Sequence, residues 1–170
     1  MALKVARRGD VPPFFVMEVM RAAAERLASG ADVLHMEVGQ PATSAPRGAR
    51  QAAHAALDND LLGYTVALGI APLRAAIARH YRDRYGVDLD PARVVVTTGS
   101  SAGFVLSFLA CFEPGDRVAL AEPGYPCYRN ILGALGIEAV GLPVGHADRY
   151  QPSVAMLEAL ERPVDGLILA

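Results

Sequence analysis

Val94-Val95-Val96-Thr97-Thr98-Gly99-Ser100-Ser101-Ala102-Gly103 is a β-branched run that breaks at a glycine, and Phe104-Val105-Leu106-Ser107-Phe108-Leu109-Ala110-Cys111-Phe112 follows it. The pattern predicts a short strand over Val94–Val96, a tight turn, and a helix from Ala102 to Phe112 that is apolar all round and therefore buried. At such a turn the first amides of the helix lack intrahelical partners and carry the positive end of the helix dipole, which suits a phosphate. The ten residues admit three readings. Ser100 or Ser101 caps the helix; or Gly99 to Ser101 cradle a phosphate; or Gly99-Ser100-Ser101-Ala102-Gly103 is a G-x-S-x-G nucleophile elbow with Ser101 as the attacking residue.

Working outward, strands alternate with helices. A strand is expected at Arg117 to Ala121, a turn at Glu122-Pro123-Gly124, a helix from Pro126 to Leu135, a strand at Ile137 to Leu142, a helix at Ser153 to Leu160 and a terminal strand at Asp165 to Ala170. That alternation predicts a parallel α/β sheet. On the N-terminal side three helices are expected. They are Phe14 to Ser29, packed through Met17, Met20, Ala24 and Leu27 and stopped by Gly30; Arg47 to Leu57; and one opened by Pro72 and closed by Gly86. The third should pack through Leu73, Ile77 and Tyr81, with Arg74, Arg79, Arg82 and Arg84 solvated. Between the first two, Asp32 to Val38 is extended and runs into a Gly- and Pro-rich loop over 39–46. The chain stops on an apolar strand, so it is expected to be a portion of a larger protein.

The 170 residues are 52% apolar, enough for a sizeable core, and the net charge is −2 without a basic block. Neither a nucleic-acid footprint nor a membrane-surface patch is indicated. Phe14-Phe15-Val16-Met17 is cut by Glu18 and is too short for a signal segment. Cys111 and Cys127 are too few for a disulfide framework, and Cys111 is expected to be buried on its helix. A cytoplasmic location is expected from these features. His35, His54, His80 and His146 show no metal-ligand spacing, so no metal is expected. The elbow reading would require several strands before the serine and an acid and a histidine after it, and only His146 follows.

In open parallel sheets ligands bind beyond the carboxyl ends of the strands, which would set Gly99 to Ser101 beside Glu122 to Tyr125. Tyr125 could then stack on a flat ring.

Tyr64-Thr65, Gly69, Leu73-Arg74, Val96-Thr97-Thr98-Gly99, Pro114-Gly115-Asp116 and Pro123-Gly124-Tyr125-Pro126-Cys127-Tyr128 occur in that order. As a set they resemble the pyridoxal-phosphate aminotransferases of classes I and II, from about Gly39 onward. The resemblance implies the large-domain half of that fold, a mostly parallel sheet flanked by helices, incomplete, with an N-terminal helical arm. Residues 1–46 would form the arm and a substrate-side loop, and 47–170 the first part of the cofactor-binding domain. It implies pyridoxal 5'-phosphate as cofactor, an α-amino acid and a 2-oxo acid as substrates, a biosynthetic or other amino-acid-metabolic role, and a homodimer. Gly99, Ser100 and Ser101 would grip the cofactor phosphate, Tyr125 would stack on its ring, and Tyr64 would reach the phosphate of the neighbouring subunit's cofactor. The amide of Gly39 would lie near the substrate carboxylate, although Gly39-Gln40-Pro41-Ala42-Thr43 departs from the usual Gly-Glu-Pro-Asp-Phe.

The family anchors its cofactor on a lysine. Lys4 is the only lysine here and does not match that position, so no catalytic residue is assigned in this chain. The matching lysine, the aspartate at the ring nitrogen and the carboxylate-binding arginine are expected after Ala170. Other chemistry of the same cofactor fold, a carbon–sulfur lyase or a decarboxylase, fits the same motifs. So would a sensor with this fold behind a DNA-binding domain, but no basic helix-turn-helix precedes the match.

Overall fold

The computed structural model describes residues 3–6 and 9–170; positions 1, 2, 7 and 8, at the start of the expected arm, lie outside the described residues. The chain divides into two units, one comprising 1–34 and 99–170 and the other 35–98.

The first unit holds α1 (Phe15–Ala28), then α4 (Gly99–Cys111), β1 (Arg117–Glu122), α5 (Pro126–Leu135), β2 (Glu138–Pro143), α6 (Val154–Glu158) and β3 (Gly166–Ile168). The second holds α2 (Arg47–Asn59) and α3 (Ala71–Tyr85). The three strands form one sheet in the order β2-β1-β3. Both pairings are parallel, β1 running from Arg117 opposite Glu138 to Glu122 opposite Pro143, and from Val118 opposite Gly166 to Leu120 opposite Ile168. The alternating α/β expectation is borne out, and no strand forms in the described residues before β1.

Parallel strands are covered on both faces and read as continuous apolar runs. Val118, Ala119 and Leu120 of β1 are accordingly all buried. Val118 and Leu120 cluster with Phe108 of α4, Leu132 of α5 and Ile137, with Phe104, Phe112, Tyr128 and Ile131 packed around them. Phe104, Phe108 and Phe112 stand four residues apart, so one stripe of α4 meets the sheet. The remainder of that helix is not buried, contrary to expectation. Leu106, Leu109 and Cys111 are exposed, because a helix packed against one neighbouring helix and one sheet face covers a single stripe. In α1 likewise, Met17, Met20 and Leu27 are exposed and the buried residue is Ala23, so the expected apolar face is not the packed one. Its solvent side carries Arg21 between Glu18 (3.0 Å) and Glu25 (2.6 Å).

In the second unit the β-branched run at Val94–Val96 is not a strand of any sheet. A ladder needs a continuous partner, and this run has isolated ones: Val96 N–H donates to the Leu68 carbonyl at 3.0 Å, and Arg74 Nε donates to the Val94 carbonyl at 2.9 Å. Arg74 is therefore tied down rather than solvated. α3 ends at Gly86, as predicted. No helix of the described residues is long and apolar enough to cross a membrane.

Candidate functional site

The expected turn is drawn into the helix itself. α4 begins at Gly99 rather than at Ala102, so Gly99, Ser100 and Ser101 are its first turn. Gly99 has φ +80°, a left-handed conformation that glycine reaches without steric penalty. Both serines are exposed. The amides at this end have no partner one turn earlier within the helix, and the dipole adds to their pull on an anion.

The second component comes from the end of β1. Glu122-Pro123-Gly124 leads off the sheet edge, and Tyr125 caps α5 with Pro126 in its first turn. The chain doubles back tightly there: a Cβ on Gly124 would lie 2.5 Å from the Ala121 carbonyl oxygen. Tyr125 is held by edge-on ring contacts with Phe14 (6.4 Å) and Tyr128 (5.3 Å), and Tyr128 in turn meets Phe104 (4.8 Å). Even so, Tyr125 is 47% exposed, which leaves ring surface for a planar ligand.

The two components meet. Ser101 Oγ and Cys127 Sγ lie 3.3 Å apart, a hydrogen bond in which either atom can donate. It joins the first turn of α4 to the first turn of α5, the juxtaposition expected from the carboxyl ends of the strands. A cavity of about 270 Å³ is lined by Tyr125, Tyr128, Tyr150, Gln151, Ile168 and Ala170 among others. A second groove of about 470 Å³ is lined by Pro12, Pro13, Phe15, Glu122, Tyr125, Arg129 and Asn130 among others. Asn130 Nδ2 donates to the Pro12 carbonyl at 2.8 Å and fixes the arm there.

Charge at the site is set by few groups. The Tyr125 phenol is held above its ordinary range, first by its electrostatic interaction with Cys127, then by burial, and then by a hydrogen bond with Cys127. Arg129 pairs with Glu122 at 3.2 Å, and glycine at 141 leaves room for that pair, because a Cβ there would collide with the Glu122 carboxylate. No group of histidines, cysteines and acids able to hold a metal occurs among the described residues.

Gly39 and Tyr64 belong to the second unit. Gly39 sits in an exposed loop with no atom within 4 Å of where a Cβ would be, and Tyr64 is fully exposed. In the same stretch His35 Nδ1 lies 2.6 Å from Glu37 Oε1, and that hydrogen bond pulls the Glu37 carboxyl below its usual value. The elbow reading of Ser101 fails on geometry. The serine lies inside the first turn of a helix that no sheet strand feeds, and its hydroxyl faces a thiol rather than an imidazole.

Sequence reasoning missed Cys127 and Tyr150. Tyr150 and Arg149 both have left-handed backbone, φ 58° and 52°. Such strain in non-glycine residues concentrates at functional sites, but Asp148-Arg149-Tyr150-Gln151 carries no turn signature that would have revealed it.

The valine–pyruvate aminotransferase of Mycobacterium tuberculosis is 54% identical over 167 residues, 98% of this chain and 43% of that protein. A crystal structure of an aminotransferase from M. tuberculosis superposes with a TM-score of 0.92 at 54% identity, over 98% of this chain and 43% of its own. The aspartate aminotransferase of Thermotoga maritima gives 0.83 at 29% identity, over 92% and 42%. The chain thus spans less than half the length of each. The family profile described as aminotransferase class I and II matches residues 31–170. This chain therefore belongs to the class I and II aminotransferases, a family that works with pyridoxal phosphate.

Proposed function

We propose that the first turn of α4 and the Tyr125 loop hold pyridoxal 5'-phosphate in an enzyme that transfers an amino group between an α-amino acid and a 2-oxo acid. The Ser101–Cys127 bridge carries the reading, because it sets the first turn of α4 against the first turn of α5, two residues after the Tyr125 ring. The residues present suit the cofactor. Two hydroxyls and a set of amides at a helix N-terminus can donate to a phosphate dianion, and a half-exposed tyrosine can lie against a planar ring.

When bound, pyridoxal phosphate supplies an aldehyde that reacts with amines and a ring that accepts electrons from the substrate carbon. The chain's own groups bind and orient. Ser100 and Ser101 donate to phosphate oxygens, and Tyr125 fixes the plane of the ring. In this reading the Gly39 amide donates to the substrate carboxylate, and Tyr64 serves the phosphate of a second copy in a homodimer. Full exposure of Tyr64 supports a role toward a neighbour. Lys4 receives no covalent role, since it lies in the arm segment, well before the family motifs.

The first substrates to assay are valine and pyruvate, after the name of the relative at 54% identity. The native polypeptide carrying this sequence, given pyridoxal phosphate, ¹⁵N-valine and pyruvate, should form ¹⁵N-alanine. Absence of label transfer from valine and from every other amino acid supplied would refute the proposed reaction.

A further inference from the structure

We propose that Cys127 is a positioning residue for the cofactor phosphate, its thiol holding the Ser101 hydroxyl in the orientation that donates to a phosphate oxygen. The inference deepens the proposed function and rests on its placement of the phosphate at the first turn of α4. A serine hydroxyl in the first turn of a helix rotates among three wells and has one proton to give. In the structure Ser101 Oγ has a fixed neighbour, Cys127 Sγ at 3.3 Å, contributed by a residue 26 positions away on another helix. Either atom can be the donor. If the thiol donates, the serine oxygen is occupied as an acceptor and its own proton remains for an anion. That polarity is the useful one, because a phosphate dianion accepts and does not donate.

Cys127 is well placed for this. It is half-buried in the first turn of α5, two residues after Tyr125, so the same short segment carries the ring-stacking aromatic and the group that orients the phosphate donor. The aromatic contacts from Tyr125 to Tyr128 and from Tyr128 to Phe104 tie the starts of α5 and α4 together. The sulfur therefore meets a hydroxyl whose helix is already fixed relative to its own. Cys111, the other cysteine, is exposed at the far end of α4.

The test measures binding rather than turnover, on the full chain, with probes that lack an aldehyde and so cannot react with amines: pyridoxine 5'-phosphate and pyridoxine, by equilibrium dialysis. Cys127→Val removes the donor at similar volume, and Cys127→Ser restores a donor. Cys127→Val should weaken pyridoxine 5'-phosphate about 3- to 10-fold, the range of one net hydrogen bond, and leave pyridoxine unchanged. Cys127→Ser should bind within about twofold of the parent chain, by the same range. In a Ser101→Ala background, Cys127→Val should have no further effect, since the group it orients is gone. Equal loss for both probes, failure of Cys127→Ser to rescue, or an additive effect on Ser101→Ala would overturn the assignment. If Ser101→Ala weakens phosphate binding while Cys127→Val does not, only the role of Cys127 falls. If Ser101→Ala leaves phosphate binding intact, the placement of the phosphate falls and the inference with it. Should Cys127→Val not fold, as judged by far-ultraviolet circular dichroism, Cys127→Ala carries the same comparison.

Discussion

Gly124→Ala places a methyl group where the structure has no room, and the obstacle is backbone. The new Cβ would stand 2.5 Å from the Ala121 carbonyl oxygen and 3.5 Å from its carbon. Ala121 lies in β1 opposite Leu142, inside the parallel ladder, so the strand cannot yield and the loop of Pro123 to Tyr125 must. Forcing a methyl into a filled site costs about 1–3 kcal/mol, offset by the roughly 0.4–1 kcal/mol that alanine gains by restricting the unfolded chain. The net is a loss of about 1–2 kcal/mol. For a chain of this size each kcal/mol moves the melting temperature about 2–4 °C, so Gly124→Ala should melt about 2–8 °C lower. Gly133 is the internal control. It is an exposed position within α5 with no atom within 4 Å of a new Cβ, and Gly133→Ala should be neutral or gain up to about 1 kcal/mol from helix propensity. Parallel thermal melts followed by circular dichroism read the contrast. A Gly124→Ala protein that melts at or above the parent, or a Gly133→Ala protein that melts well below it, would refute the steric reasoning. Because Tyr125 is the next residue, Gly124→Ala should also weaken pyridoxine 5'-phosphate, and Gly133→Ala should not.

Leu132→Ala removes a fully buried side chain from the cluster with Val118, Leu120, Phe108 and Ile137; urea unfolding should show a loss of about 2–5 kcal/mol. Arg117 donates to the carbonyls of Arg162 (2.7 Å) and Pro163 (2.6 Å) ahead of β3 and pairs with Glu138. Arg117→Met should therefore destabilise by about 1–3 kcal/mol, with hydrogen exchange rising first at Gly166 to Ile168. The Tyr125 phenol is held up chiefly by Cys127, so Cys127→Val should lower its titration midpoint toward the ordinary phenol value. The difference is read at 295 nm against a Tyr125→Phe reference, and an unchanged midpoint would contradict the cause given. The 170-residue chain with pyridoxal phosphate, valine and pyruvate should give no turnover, since its one lysine, Lys4, is at no family position; turnover that survives Lys4→Ala would show that another amine anchors the cofactor.

Much of this was legible in the sequence because local signals agreed with tertiary ones. Pro126 and Gly136 bracket α5, and Val118 to Leu120 form a buried apolar run in the middle of a parallel sheet, so both elements fall where pattern places them. Val94 to Val96 failed because β-branching marks extended backbone, not a partner strand; its hydrogen bonds go to Pro91, to Leu68 and to the Arg74 side chain. The misjudged faces of α1 and α4 have a common source, since periodicity finds an apolar stripe without saying which neighbour covers it. At the proposed site, Gly99, the two serines and Tyr125 are singled out by motif and turn chemistry. Cys127 did not, because its relation to Ser101 spans 26 residues and exists only once two helix starts are set side by side. Tyr150 was hidden for a similar reason, its place at the cavity being set by backbone that its own residue type disfavours.

The central claim is that the first turn of α4 holds the cofactor phosphate. It is tested most directly by titrating the ¹⁵N-labelled chain with pyridoxine 5'-phosphate and with pyridoxine and following the amide resonances. The account predicts that the Gly99, Ser100 and Ser101 amides shift with the phosphate ester and stay in place with pyridoxine, while residues around Tyr125 respond to both. Phosphate-dependent shifts centred elsewhere, with Gly99 to Ser101 unmoved at saturation, would contradict it.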